Sequence, residues 1–536
     1  MTTHLMLVLH GHIPDVMGHG TWPHGANWVY EAAAETYLPF LDVVERLLDD
    51  GVPVKATIGM TPVLAEQLQD PRFVDGFMRY LGQRANAAAR DRLAMRMDGD
   101  ETGAALAEAW KRFYRARRDQ FLALPERDII GAFRRLAELG LIEPIASAAT
   151  HGFLPLLPND RAIDRQLDVG LAAHARHFGR SAAGIWLPEC AYRPAGPWVS
   201  PAGDREEVRR GIEDFLAERG VKFFFVETHL VQGGEMRPAY GGRASRPDSG
   251  GSPYLVNAVQ ATDGSVISVF ARDPLSSEQV WSGHVGYPGD GRYLEFHKQK
   301  AHRGHRYWRV TDSKLDLHEK EPYDPTAVPA VLRSHADHFV SMLEDMEPWT
   351  DGTPALVVAM FDFELFGHWW FEGPEFLGEV FRRLTTSTKV KPMTASEAIA
   401  ATPPRRVIRM PHGTWGRNGD FQVWWNEHTV DYWRLVESVE RRMELFEDRA
   451  REGELDQELF EAMERQTLLL QSSDWPFLID NEVSRDYAEE RIREHVKEFT
   501  RLARMAERGR VNRKELERLE RRDSLFGPEL RGRMAL

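Results

Sequence analysis

Ile129-Ile130-Gly131-Ala132-Phe133-Arg134-Arg135-Leu136-Ala137-Glu138-Leu139-Gly140-Leu141-Ile142-Glu143-Pro144-Ile145-Ala146-Ser147-Ala148-Ala149-Thr150 is one complete helix-to-strand unit. Residues 129–139 carry apolar side chains at helical period, Gly140 caps the helix, and Ile142 to Thr150 reads as a strand. The same grammar recurs downstream. Asp164 to Phe178 predicts a helix before a strand at Ala183 to Leu187. Glu206 to Arg219 predicts another, closed by Gly220, before a strand at Val221 to Val226. Upstream, the apolar runs Leu5 to Leu9 and Val52 to Ile58 flank a helical stretch over Glu31 to Leu48. Val266 to Phe270 and Ala355 to Phe361 complete seven strands. Strands alternating with helices make a parallel sheet, and seven of them suit a closed barrel better than an open sheet.

Two stretches interrupt or follow that pattern. Between Asp70 and Asp128 the chain turns polar and rich in Ala, Arg and Glu, as in Ala85 to Arg96. A helical insertion over 70–128 is expected, leaving the barrel to residues 1–69 and 129–402. Beyond Pro403-Pro404 the periods at Asp431 to Arg451, Asp456 to Gln471 and Ser484 to Gly509 predict an all-helical C-terminal domain, 403–536. The charged tail after Arg510 is expected to be a solvated, partly frayed surface.

Composition narrows the function. With 536 residues, 42% of them apolar, the chain can bury a large core without a staple. Its 68 basic and 82 acidic residues leave a net charge of −14, which argues against nucleic acid or an anionic membrane as partner. The single cysteine, Cys190, excludes an internal disulfide and any cysteine-built metal site; a small buried filler is its expected role. No run of eighteen apolar residues exists, and Met1 to His10 has neither a basic leader nor a small-residue cleavage site. A cytoplasmic protein is expected, monomer or homodimer.

In parallel barrels the active site lies at the C-terminal ends of the strands. Reading past each predicted strand gives His10-Gly11-His12-Ile13-Pro14, then His151-Gly152, then Trp186-Leu187-Pro188-Glu189-Cys190-Ala191-Tyr192. Glu227-Thr228-His229, Arg272-Asp273 and Phe361-Asp362-Phe363-Glu364-Leu365-Phe366-Gly367-His368-Trp369-Trp370 follow. Ionisable groups end six strands, and at two of these ends, Glu189 and Asp362, the carboxylate has aromatic neighbours. Two carboxylates in an aromatic, uncharged setting suit glycoside chemistry: one attacks the anomeric carbon, the other protonates the leaving oxygen. Tryptophan faces stack on the C–H faces of sugar rings, and the chain has 15 Trp.

The first, third and last of these quoted segments resemble signature motifs of glycoside hydrolase family 57. Their order and spacing, together with the C-terminal helical region, are similar to those of its 1,4-α-glucan branching enzymes over nearly the whole chain. The resemblance implies an incomplete (β/α)7 barrel, a helical insertion and a retaining double displacement with Glu189 as nucleophile and Asp362 as general acid/base. It also implies substrate-binding roles for Arg272 in Phe270-Ala271-Arg272-Asp273-Pro274, Gly289 in Gly286-Tyr287-Pro288-Gly289-Asp290, Trp415 in Gly413-Thr414-Trp415-Gly416, and Asp474 in Ser472-Ser473-Asp474-Trp475-Pro476. His10, His12, Trp22, Trp28, His151 and Trp281 are further expected lining. An amylase or 4-α-glucanotransferase of the same family would use the same two carboxylates.

His10 and His12 lie two apart on a strand end and so face one side, which would suit a metal. No third ligand has matching spacing, and the resemblance implies a site without metal or other cofactor, its histidines bonding sugar hydroxyls on an α-glucan. A metal-dependent deacetylase would lose activity to a chelator. A binding protein that has lost catalysis would have no use for both Glu189 and Asp362. The Gly-, Pro- and Ser-rich stretch Leu230 to Pro253 is too long for an ordinary connection. The resembling enzymes carry a tyrosine at such a loop, and Tyr240, followed by Gly241 and Gly242, matches it. If it seats the acceptor and excludes water, Tyr240→Ala should cut branching at least roughly tenfold, about 1.4 kcal/mol. Hydrolysis should fall much less; an equal fall in both would reduce the loop to a donor contact.

Overall fold

The computed structural model describes residues 2–21, 23–203, 205–233, 251–283, 285–300, 304–348, 350 and 352–533. Seven parallel strands run in chain order through Thr3–Gly11, Ala56–Met60, Ile142–Ser147, Gly184–Trp186, Phe223–Val226, Val266–Ala271 and Ala355–Asp362. The seventh returns to pair with the first, His10 lying opposite Asp362, so the ladder runs 7-1-2-3-4-5-6. Among the described residues no ladder joins the sixth to the seventh; the Asp273 N–H bonds the Val358 carbonyl (2.9 Å), and the Leu356 N–H bonds the Tyr254 carbonyl (3.0 Å), across that seam. The barrel is therefore incomplete, as the sequence motifs imply. The strands are buried almost throughout, which parallel sheets covered on both faces require.

Several boundaries move. The second strand starts at Ala56 rather than Val52, and the third ends at Ser147. Glu206–Arg209 is not helical; it pairs antiparallel with Gly196–Val199, and the helix begins only at Ile212. The alternating exposure of that short ribbon is a strand signature which its charged residues mask. The helix expected from Glu31 starts at Ala26 and contains a π turn over Ala33–Tyr37. Two further strands join the sheet: Asn257–Gln260 edges it, antiparallel to the sixth strand, and Val390–Pro392 lies parallel to the start of the first. Residues 71–97 and 101–123 form two long helices packed on each other.

The helices after residue 430 share one core with the barrel: Trp433, Val436, Met463 and Phe499 pack in the same cluster as Phe153, Ile185, Leu187 and Phe224. A buried ion network ties them further, Arg165 pairing with Glu440 (2.8 Å) and Glu464 (3.5 Å). The expectation of a frayed tail is wrong. Arg513–Arg522 and Gly527–Arg533 are helices; their Leu516, Leu519 and Leu530 are buried, as are Leu525 and Phe526 between them, and Arg533 reaches Glu464 at 3.3 Å. Asp523 accepts from His19 at 2.9 Å, anchoring the tail to the loop after the first strand. Burial pulls His19 down and Arg491 adds to that, but its three carboxylate partners raise it to about 9, so it stays charged at neutral pH. The tail's charge density hid a narrow apolar stripe. No helix among the described residues is long and apolar enough to cross a membrane.

Candidate active site

The fourth strand ends in a tight turn, Pro188–Cys190, that holds Glu189 at φ 59° and Cys190 at φ 49°. His151, after the third strand, sits at φ 57°. Non-glycine residues in this region cost on the order of 1–3 kcal/mol each and gather where side chains must be aimed. Here the strain turns the Glu189 carboxylate toward the chain beyond the barrel. Its Oε2 accepts from the Trp415 indole N–H (3.0 Å) and its Oε1 from the Ser473 hydroxyl (2.8 Å). The Glu189 carbonyl accepts from the Thr414 hydroxyl (2.5 Å) and the Trp415 N–H (3.2 Å).

Asp362 stands on the last residue of the seventh strand. Burial drives its carboxyl well above the ordinary range, and the neighbouring carboxylates of Glu364 and Glu189 push the same way. Burial also raises Glu189, but the Trp415 and Ser473 hydrogen bonds act against it. The two acids thus sit in environments that separate their proton affinities, the arrangement an acid and a nucleophile need.

His12 gives its two ring nitrogens to Asp474 (2.9 Å) and Thr61 (3.1 Å). Burial pulls His12 down, yet the charge and hydrogen bond of Asp474 outweigh it and raise it; Asp474 is correspondingly lowered despite its own burial. His10 and His151 go the other way: burial, then the charge of His12, holds both well below the ordinary imidazole range. The His10 ring stacks on His151 and on Trp186, and the His151 ring stacks on His12. Among the described residues, the groups spaced to hold an ion are Asp15, His19, Asp523 and the exposed Asp316, His318, Glu319, and neither includes Glu189 or Asp362.

The setting is not uncharged, contrary to expectation. Besides His12 and Asp474 it holds Arg272, ion-paired with Glu227 and lying 5.6 Å from the centre of the Trp415 ring. These charges come from strand ends and a post-barrel turn far apart in sequence, so no local window shows them together. Glu364 is buried and accepts from the Tyr37 hydroxyl and from the His12 N–H (3.1 Å); burial pushes it up to about 7. The π turn delivers Tyr37, and Gly367 seats that turn: a side chain there would come within 1.9 Å of the Glu35 carbonyl, and its φ is 122°. Tyr37, Glu227, Glu364 and Ser473 were not singled out from sequence. Ser473 was within a quoted motif and Glu364 within another, whereas nothing in a single helical period marks Tyr37.

Other expected residues fall less centrally. Trp281 ends the helix Pro274–Trp281, with its ring 6.5 Å from Phe361 and 6.3 Å from the half-exposed Trp369. Trp28 neighbours His24 at 6.5 Å. Gly289 closes the turn Tyr287–Gly289, whose Tyr287 ring packs on His335 and Phe376 rather than on either catalytic candidate. Trp22 and Tyr240 lie outside the described residues.

Residues 6–411 match the family model for glycosyl hydrolase family 57, and residues 434–534 match that for the C-terminal region of 1,4-alpha-glucan branching enzymes. A curated relative, the 1,4-alpha-glucan branching enzyme of Thermococcus kodakarensis, is 41% identical over 99% of this chain and 78% of its own. The crystal structure of a family 57 branching enzyme from that archaeon superposes with a TM-score of 0.90 at 39% identity, over 100% of this chain and 96% of that one. The alpha-amylase AmyC of Thermotoga maritima also superposes, at a TM-score of 0.80 and 28% identity, covering 100% of this chain and 99% of that one.

Proposed function

We infer the chemistry from one premise: the chain belongs to glycoside hydrolase family 57. It is a 1,4-α-glucan branching enzyme, a retaining transglycosylase that cuts an α-1,4 bond and rejoins the freed chain to a 6-hydroxyl. Glu189 attacks the anomeric carbon and carries the donor chain as an ester. Asp362 gives its proton to the leaving oxygen, then takes one from the incoming hydroxyl, so that two inversions restore the α configuration. His12, paired with Asp474, and Arg272, fixed by Glu227, present donors to sugar hydroxyls, while Trp415, Trp281, Trp28 and Trp22 offer ring faces. His10, His151, Gly289 and Tyr240 complete the proposed lining. The physiological polymer is a glycogen-like α-glucan, worked on in the cytoplasm.

The observation that carries this reading is the unequal treatment of the two carboxyls. Burial raises both, but Glu189 has two hydrogen-bond donors that favour its anion, whereas the carboxylates of Glu364 and Glu189 push Asp362 further up. Incubation with amylose, followed by debranching with isoamylase, tests it. Chains released by isoamylase should outnumber the free reducing ends formed beforehand. Reducing ends that accumulate without releasable branches would make the protein an amylase.

A further inference from the structure

Behind Glu189 runs a line of side chains with no part in the double displacement as written. The Ser473 hydroxyl, which bonds Glu189 Oε1 at 2.8 Å, is also 2.9 Å from His151 Nδ1, and His151 Nε2 is 3.1 Å from His10 Nε2. His10 Nδ1, at the far end, is buried and has no hydrogen-bond partner among the described residues. The Ser473 N–H in turn bonds the His151 carbonyl at 3.0 Å, so the two residues clamp each other across 322 positions of sequence.

The proton positions on this line follow from counting donors. Ser473 has one proton, and an ionised Glu189 can only accept, so the hydroxyl must point at Oε1. His151 Nδ1 must then donate to Ser473 Oγ, which makes Nε2 of a neutral His151 an acceptor. That nitrogen is served by His10 Nε2–H, leaving His10 Nδ1 as a bare lone pair. Every proton on the line is used. The reverse polarity fails twice: it buries an unpartnered N–H on His10, and it sets the Ser473 lone pair against the Glu189 carboxylate at 2.8 Å.

Resting on the assignment of Glu189 as nucleophile, we propose that Ser473 is a positioning residue for that nucleophile. The neutral His10–His151 pair orients its proton, so that a one-way chain of donors runs from His10 to the carboxylate. Trp415 holds the other oxygen. Together the two donors fix the carboxylate plane before substrate arrives, which is where preorganisation gains rate. Because Ser473 stands at the head of the helix Asp474–Asp480, the C-terminal helices supply the hydroxyl that orients the nucleophile, and the barrel supplies the histidines that orient that hydroxyl.

Neutron diffraction from crystals of the intact protein reads the chain directly. Deuterium is expected on His151 Nδ1 and His10 Nε2 and not on His10 Nδ1; the opposite tautomers overturn the proposal, and this measurement needs no variant to fold. Kinetically, Ser473→Ala should slow esterification of Glu189 at least tenfold with KM changed less than twofold, and Ser473→Thr, which keeps the hydroxyl, should restore most of the rate. Esterification is followed with a fluorinated maltosyl fluoride that traps the ester, located by peptide mass. No label on Glu189 in the unaltered protein would remove the nucleophile assignment itself. Label on Glu189 at the same rate in Ser473→Ala would leave that assignment standing and sink the role of Ser473.

Discussion

Glu189→Gln is expected to leave less than about 1% of both branching and hydrolysis, a loss of at least about 2.7 kcal/mol of transition-state stabilisation. The amide keeps the shape of the side chain but cannot form the ester on which both outcomes depend. Stability should fall only modestly. An amide in place of Oε1 or Oε2 turns one acceptor into a donor, so either the Trp415 N–H or the Ser473 hydroxyl faces the wrong group, at a cost of about 1–3 kcal/mol. The clusters that hold the barrel and helices together are untouched, and the unfolding transition should remain cooperative. Activity above 1% in Glu189→Gln, in protein shown free of deamidation, would take Glu189 out of the role. A companion variant sharpens the result. In Glu189→Gly, azide can enter the space of the lost carboxylate and attack an α-maltosyl fluoride from that face. One displacement inverts, so the product should be the β-glycosyl azide.

The parts of this molecule that sequence exposed are those in which one local pattern does one job. The helix 129–138, its Gly140 stop and the following strand stand within a few residues of their expected places, because amphipathic period and a left-handed cap are both short-range signals. The strand-end motifs were legible for a related reason: in a parallel barrel the chain order of the strands is also their spatial order, so reading past each strand end visits one rim. Legibility fails where the structure joins distant windows. Ser473 meets Glu189 across 284 residues, Tyr37 meets Glu364 across 327, and Arg272 meets Glu227 only because the fifth and sixth strands are neighbours. It fails again where a weak local signal is outvoted by charge. In Glu206–Arg209 and the tail helices, charged residues dominate the composition, while Leu516, Leu519 and Phe526 fold by the few apolar positions between them. The π turn is a third case. An extra residue in one helical turn moves Tyr37 onto the face that reaches Glu364, and no periodicity of 3.6 anticipates it.

Asp362→Asn should separate the two halves of the reaction. On amylose, whose leaving group needs a proton, the rate is expected to fall by about 10²–10⁴-fold, the usual worth of a positioned general acid. On α-maltosyl fluoride, whose leaving group needs none, the ester on Glu189 should still form but then persist, since the acceptor hydroxyl has lost its base. Azide needs no base, and should discharge that ester by a second inversion to give the α-glycosyl azide. The α product here and the β product from Glu189→Gly would together assign the two carboxyls, and the same anomer from both would refute the assignment. The pH profile carries the matching sign. Asp362 works protonated, and burial with the charges of Glu364 and Glu189 raises its proton affinity in the folded protein. Activity should therefore hold to a pH well above the ordinary carboxyl range and fall as pH rises through the raised value. In Asp362→Asn the residual activity on the fluoride should lack that alkaline limb. If the limb survives unchanged, another group sets it, and Glu364, pushed up to about 7 beside Asp362, becomes the acid to test.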